Sequence, residues 1–178
     1  PEVNRYLEIR HSPPASVAEI AQFVDSINQS AESILFGIFL LDGIHIGTIK
    51  LGPIDSSNRR TDVGLLIGDK GQWGKGYATR AIRLVSDFAF QHLDLVRLTA
   101  GCYHPNQGSF HAFMKAGYQH EGTLANYWQC EGQSVGEIMM GLSFCHGGVK
   151  CRSVNFGRIT SLVFVGGGYS LLKTIQAA

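Results

Sequence analysis

The chain of 178 residues has no apolar run approaching the ~20 residues that a membrane-spanning helix needs. It has no block of like charge either. Lys and Arg number 15 against 14 Asp and Glu, and a net charge of +1 gives no electrostatic basis for binding nucleic acid or an anionic membrane. Its cysteines, Cys102, Cys130, Cys145 and Cys151, form no Cys-x-x-Cys pair, and no secretory signal is visible. Free thiols in a reducing cytoplasm are therefore expected. His104, His111 and His120 match no familiar ligand spacing, so no metal is expected and the histidines are read as surface or loop residues. There is no internal repeat. The chain opens on Pro1 without a methionine and is read as a fragment or a processed product.

What is present reads as one globular domain: apolar residues are 44% and charged residues 16%. A helix is expected from Ser16 to about Ser30, with Val17, Ile20, Val24 and Ile27 on one face and Ser16 and Glu19 placed as a capping box. Ile34 to Leu41 is a nearly continuous apolar run, as in a strand covered on both faces. Asp42-Gly43 turns it into a partner from Ile44 to Leu51, with a bulge near Gly47. Residues 52–60 read as a loop, and Thr61 to Gly68 as a strand with Val63, Leu65 and Ile67 on one face and Asp62, Gly64 and Leu66 on the other. A helix from Tyr77 to His92 is expected to bury Ala78, Ala81, Ile82, Val85, Phe88 and Ala89 and to turn Ser86 and Asp87 to water. A strand from Leu95 to Tyr103, a short helix from Gln107 to Lys115 closed by Gly117, and strands near 118–123 and 135–144 joined at Glu131-Gly132 complete the unit. The domain is drawn from residue 1 to 146. Residues 147–178, glycine-rich around the apolar run Ile159 to Val165, form a tail without a functional reading; an added strand is one option.

The stretch GLLIGDKGQWGKGYATRAIRLV, residues 64–85, runs a strand into a glycine-rich loop and the loop into a helix. Gly71, Gly74 and Gly76 let backbone N–H groups approach a ligand at a helix N-terminus, a natural site for phosphate or pyrophosphate. The nucleotide phosphate-loop pattern fails, because five residues separate Gly68 from Gly74 and Gly76 stands where a Ser or Thr should hold magnesium. The dinucleotide fingerprint fails because Thr79 replaces its third glycine and hairpins replace the alternating strands and helices.

A third reading fits. Trp73-Gly74-Lys75-Gly76-Tyr77-Ala78 resembles the acetyl-CoA pyrophosphate loop of the GNAT superfamily of N-acetyltransferases, Gln/Arg-x-x-Gly-x-Gly/Ala, with Trp73 in place of the usual Gln or Arg. The run WGKGYAT looks like the branch of ribosomal-protein N-terminal (Rim-type) acetyltransferases, except that Arg80 stands where that branch usually has Glu. Asn106 to Tyr118, NQGSFHAFMKAGY, is similar to a second superfamily motif, a helix opening on Asn-x-x-Ser and closing on Lys-x-Gly-Phe/Tyr. The resemblance covers residues 1–144. It implies an α/β (α+β) fold with a mixed, largely antiparallel sheet and flanking helices, here without the first strand. The vacated sheet edge is one the apolar run of the tail could take.

The resemblance also implies the chemistry: direct transfer of acetyl from acetyl-CoA, as cosubstrate, to a primary amine in a ternary complex. The backbone of Leu66, Ile67 and Gly68 would hold the pantetheine arm, with the N–H of Leu66 or Ile67 as oxyanion donor. Gly71, Gln72, Trp73, Gly74, Lys75, Gly76, Tyr77 and Ala78 would take the pyrophosphate, and Asn106 and Ser109 would meet the arm. The amine must attack as a free base, although at pH 7 a group of pKa near 10.4 is almost wholly protonated, a penalty of about 4–5 kcal/mol. Asp62 is the candidate base, with an ion pair to Arg59 or Arg60 as its alternative role. Many members protonate the departing thiolate from a tyrosine at the position of Phe113, which carries no proton, so Ser109 is the candidate acid. Tyr127 and Trp128 are either acceptor-pocket or packing residues, and Cys102 reads as core. The acceptor (protein N-terminus, polyamine or amino sugar) and the oligomeric state, homodimer included, stay open. A CoA-binding module impaired in catalysis is the alternative function.

Overall fold

The structure is a computed structural model that describes residues 2–7, 14, 16–144 and 162–164. In chain order it comprises helix α1 (Val17–Gln29), strands β1 (Ile34–Phe39), β2 (His45–Asp55) and β3 (Arg60–Ile67), and a 3₁₀ turn (Lys70–Gln72). Helix α2 (Tyr77–His92), strand β4 (Arg97–Tyr103), helix α3 (Gln107–Ala116), and strands β5 (Gln119–Cys130), β6 (Gln133–Ser143) and β7 (Leu162–Phe164) follow. One sheet holds every strand in the order β5-β6-β4-β3-β2-β1-β7, and all neighbours run antiparallel except β3 and β4. The mixed, largely antiparallel sheet with flanking helices is the architecture expected. The short β7 pairs with β1, Phe36 opposite Phe164. The remainder of the tail lies outside the described residues, as do Cys145 and Cys151.

The core forms where α2 and α3 cover one face of the sheet. Phe36, Ile49, Leu51, Leu98 and Met140 from the strands meet Ile82, Val85 and Phe113 from the helices, all at most 2% exposed. At about 25 cal/mol per Å² of apolar surface, such side chains contribute roughly 1.5–3 kcal/mol each. Tyr118 joins them, its ring edge-on to Phe113 at 5.0 Å and its hydroxyl 3.1 Å from Ser86 Oγ. That pairing corrects the sequence reading of α2. Ser86 is buried because its hydroxyl donates to Ile82 O and meets Tyr118, so it carries no unsatisfied group into the core.

Two other expectations change, and one expected element is covered less than the rest. The segment 52–60 is a loop only in its middle: β2 continues to Asp55, with Ile54 opposite Thr61 and the Thr61 hydroxyl donating to Pro53 O. β5 runs to Cys130 rather than ending near residue 123, with irregular register between Leu124 and Trp128. Most of its residues are exposed, so no apolar alternation announces it. In α1 only Ile27 is buried, while Val17 is 82% exposed; the N-terminal turns of that helix stand clear of the core. The bulge lies where expected: Ile38 faces Gly47 and Phe39 faces His45, which leaves Ile46 as the extra residue.

The feature that positions the site is the parting of β3 and β4. Their parallel pairing covers only Arg60–Asp62 against Arg97–Thr99. Beyond Asp62 the strands separate, and Val63–Ile67 face a cleft instead of a neighbour.

Candidate active site

Strand parity decides which backbone groups enter that cleft. Gly68 N–H donates to Ile46 O on β2, so the even residues of β3 bond towards β2. On the other side the Arg59 carbonyl accepts from Val96 N–H at 2.7 Å and from Arg97 N–H at 3.3 Å, so the odd residues turn towards β4. Past Asp62 that side has no partner strand. The N–H groups of Leu65 and Ile67 therefore point into the opening, and Leu66 does not.

A cavity of about 460 Å³ fills the opening and continues to the N-termini of α2 and α3. Of the residues expected from sequence, Leu66, Ile67, Gln72, Trp73 and Gly74 line it, as do Gly76, Tyr77, Ala78, Asn106 and Ser109. Four do not. Gly68 spends its N–H on Ile46, and the Gly71 N–H is held 2.8 Å from Asp69 Oδ1, so Gly71 shapes the turn and leaves a ligand to its neighbours. Lys75 Nζ donates to Gln72 Oε1 at 3.1 Å. Asp62 sits at the closed end of the opening, where its Oδ1 accepts from the Thr99 hydroxyl, and not with Arg59 or Arg60. Arg59 instead pairs with Asp94, and Arg60 with Asp55.

The loop is built for an anion. Gly74 and Gly76 have φ of 74° and 84°, conformations that side chains rarely adopt. A Cβ built on either meets no atom within 4 Å, so the space before the turn is open. Gly76 caps α2, whose first intrahelical bond is Arg80 N–H to Gly76 O, leaving the N–H groups of Tyr77, Ala78 and Thr79 without intrahelical acceptors. Trp73, where the superfamily motif has Gln or Arg, donates its indole N–H to Ile67 O at 2.9 Å and ties the loop to the end of β3. The residues present fit the diphosphate of CoA at Gly74–Ala78 and its arm along β3.

Helix α3 begins at Asn106, whose side-chain oxygen accepts from Ser109 N–H at 3.2 Å. The Ser109 hydroxyl bonds the thiol of Cys102 on β4. Burial pushes that thiol up to about 11, and the Ser109 bond pulls against the rise. Phe113, 2% exposed, belongs to the core. His104, His111 and His120 are exposed, and among the described residues no three His, Cys, Asp or Glu side chains gather as metal ligands.

Sequence reasoning missed the wall opposite α3. Glu2, Val3, Arg5, Tyr6 and Leu7 line the cavity. Glu2 is held by Lys70, which lowers its carboxyl below the usual range, and Arg5 bonds Glu131 Oε2 at 2.6 Å. Tyr6 meets the ring of Tyr103 at 6.0 Å, and Tyr103 stacks on Trp128 at 5.1 Å. Glu2 and Lys70 lie 68 residues apart and Arg5 and Glu131 126 apart, beyond the window of about 11–18 residues in which periodicity is read. Trp128 packs against both Tyr103 and Tyr127.

Comparison with known proteins agrees with this geometry. The acetyltransferase (GNAT) domain family matches residues 1–119. An uncharacterized N-acetyltransferase, p20 of Bacillus licheniformis, is 28% identical over 144 residues, 80% of either chain. The spermidine N(1)-acetyltransferase of Escherichia coli (strain K12) is 33% identical over 99 residues, 56% of this chain and 53% of that protein. The crystal structure of spermidine N-acetyltransferase from Vibrio cholerae in complex with CoA and spermine superposes with a TM-score of 0.71 at 20% identity, covering 80% of this chain and 82% of that one. Among the described residues no helix is long and apolar enough to cross a membrane.

Proposed function

The chain belongs to the GNAT acetyltransferase family and is an acetyl-CoA-dependent N-acetyltransferase, and from that premise we propose that its acceptor is a polyamine. The polyamine is preferred to a protein N-terminus or an amino sugar because relatives whose names carry a substrate act on spermidine. The same relatives argue against assigning the chain to the ribosomal-protein branch.

One observation carries the reading: the β3–β4 opening leads without a break to the open turn at Gly74 and Gly76. When bound, acetyl-CoA supplies the activated acetyl group. In our reading the amides of Gly74–Ala78 hold its diphosphate, charge-assisted bonds of a kind roughly twice as strong as neutral ones. The Ile67 N–H lies where it would polarise the thioester carbonyl, a donor of a class worth about 3–4 kcal/mol. Asn106 fixes the start of α3, and Ser109 donates the proton that the departing sulfur needs. Tyr6 lines the cavity, backed by Tyr103, which stacks on Trp128, and its ring is suited to the methylenes of a polyamine. Asp62 lies off the cavity lining, and in this scheme it anchors a second ammonium group.

The test is an amine panel (spermidine, spermine, an alkyl monoamine, an amino sugar and a peptide N-terminus), followed by thiol release and by the mass gain of one acetyl group. Polyamines should be turned over with the highest kcat/KM. Preference for the peptide or the sugar would overturn the acceptor assignment. Tight CoA binding without turnover of any amine would favour an impaired CoA-binding module.

A further inference from the structure

We propose that Glu137 is the catalytic base, the carboxylate over the β3–β4 opening that receives the acceptor amine and takes its proton. The inference deepens the function above and rests on it only in requiring that the acceptor be an amine.

Glu137 lies on β6 directly opposite Tyr103 of β4. Opposed residues of an antiparallel pair share a face, and residues two apart on a strand share it too. Thr99, Gly101, Tyr103 and Glu137 therefore stand on the face away from α2 and α3, while Leu98, Ala100 and Cys102 are buried towards the helices. Glu137 leans back along that face: a Cβ built on Gly101 would lie 2.2 Å from Glu137 Oε1. The carboxylate occupies the place that any side chain at position 101 would fill.

That place is level with the reacting centre. Asp62 pairs with Thr99, so two residues further along Gly101 comes abreast of Gly64, at the point where the strands have parted. A Cβ on Gly64 meets nothing within 4 Å. The floor is thus bare backbone on both strands, with Ile67 N–H beyond it on one side and Glu137 above it on the other. Asp62 shares the face two residues back, ~7 Å along the strand, a span that the next ammonium of an alkyl diamine covers.

The protons balance with these groups and solvent. The bound ammonium first loses one proton to Glu137, which passes it to solvent; as the C–N bond forms, Glu137 takes the second proton shed by nitrogen. As the C–S bond breaks, Ser109 donates a proton to sulfur. Exchange with solvent resets both residues, and the net change is one acetyl moved from sulfur to nitrogen and one proton moved the same distance in reverse, with the first proton left in solvent.

The test uses Glu137→Gln, Gly101→Ala and the double variant, assayed on whichever amine the wild type turns over. Glu137→Gln should lower kcat by about 100-fold or more with the Kd for CoA and the Tm unchanged. Gly101→Ala keeps the carboxylate but puts a methyl group in its place, and should lose a comparable factor. Because both changes remove one interaction, the double variant should lose little more than either single one. Glu137→Asp, which keeps the charge, should recover part of the loss. A Glu137→Gln enzyme within about threefold of wild-type kcat, or single losses that multiply in the double variant, would overturn the proposal. If the wild type prefers a monoamine, the polyamine reading fails and Glu137 is judged on the monoamine. If it binds CoA and acetylates no amine, both fail.

Discussion

The hydroxyl of Ser109 and the ring of Phe113 lie one helical turn apart on α3, yet only Ser109 lines the cavity. With Phe113 in the core, the hydroxyl bonded to Cys102 is the proton source at that end of the cleft in our scheme. Ser109→Ala should lower kcat by about tenfold to 100-fold while leaving the Kd for CoA within a factor of two or so, as measured by single-turnover kinetics and calorimetry. An unchanged kcat would remove the serine from the proton path. Cys102 yields a second expectation. Its thiol holds its proton to about pH 11 in the folded protein, against an ordinary value of 9.0. Between these values the unfolded chain has released a proton that the folded chain retains, so the contribution to stability is complete below about pH 9 and is lost as pH rises through about 11. Tyr118, raised by burial, acts in the same direction. Denaturant titrations from pH 8 to 11 should show falling stability, with a shallower fall in Cys102→Ala; equal slopes would contradict the assignment. At this scale Ser109 was legible because a spaced motif carries it. Glu137 was not, because its role depends on a cross-strand neighbour and on the absence of a side chain at Gly101.

Among the elements, the turn from Gly74 to Ala78 was the most legible, because positive φ leaves a direct mark in composition. The ladder added what sequence could not: of two candidate amides on β3, only that of Ile67 faces the opening. It also redistributed the loop, giving Gly71 to Asp69 and Trp73 to Ile67. Exposed β5 was read too short, whereas α1 was read as the capped helix it is, although the fold covers little of its N-terminal half. The first lacks the apolar alternation that periodicity detects, and the second has a helical apolar stripe that the fold leaves mostly uncovered. The turn can be tested by charge. Gly76→Glu sets a carboxylate against the phosphates and should weaken CoA binding by more than about 100-fold. Gly76→Ala controls for the φ of 84°, which costs roughly 1–2 kcal/mol of stability, and should bind far more tightly than the glutamate variant. Equal affinities for the two variants would move the diphosphate away from this turn.

Across the whole molecule, the cavity joins parts that little else joins. One wall is the end of β3, the turn and α3, and the other is the segment from Glu2 to Leu7. That segment is tied down through Glu2 to Lys70 and Arg5 to Glu131, both exposed pairs that solvent screens, and through the contact of Tyr6 with Tyr103. Its docking is therefore marginal in the free protein, and a ligand that touches both walls adds to it. CoA at about 100 times its Kd stabilises the folded state by about 2.7 kcal/mol, which for a chain of this size raises Tm by roughly 5–10 °C. If the ligand lies between the two walls, CoA should also slow proteolytic cleavage within residues 2–7, and Gly76→Glu should abolish both effects. A rise in Tm with no protection of that segment would confine CoA to the wall formed by β3, the turn and α3, and would leave the N-terminal wall to the acceptor amine.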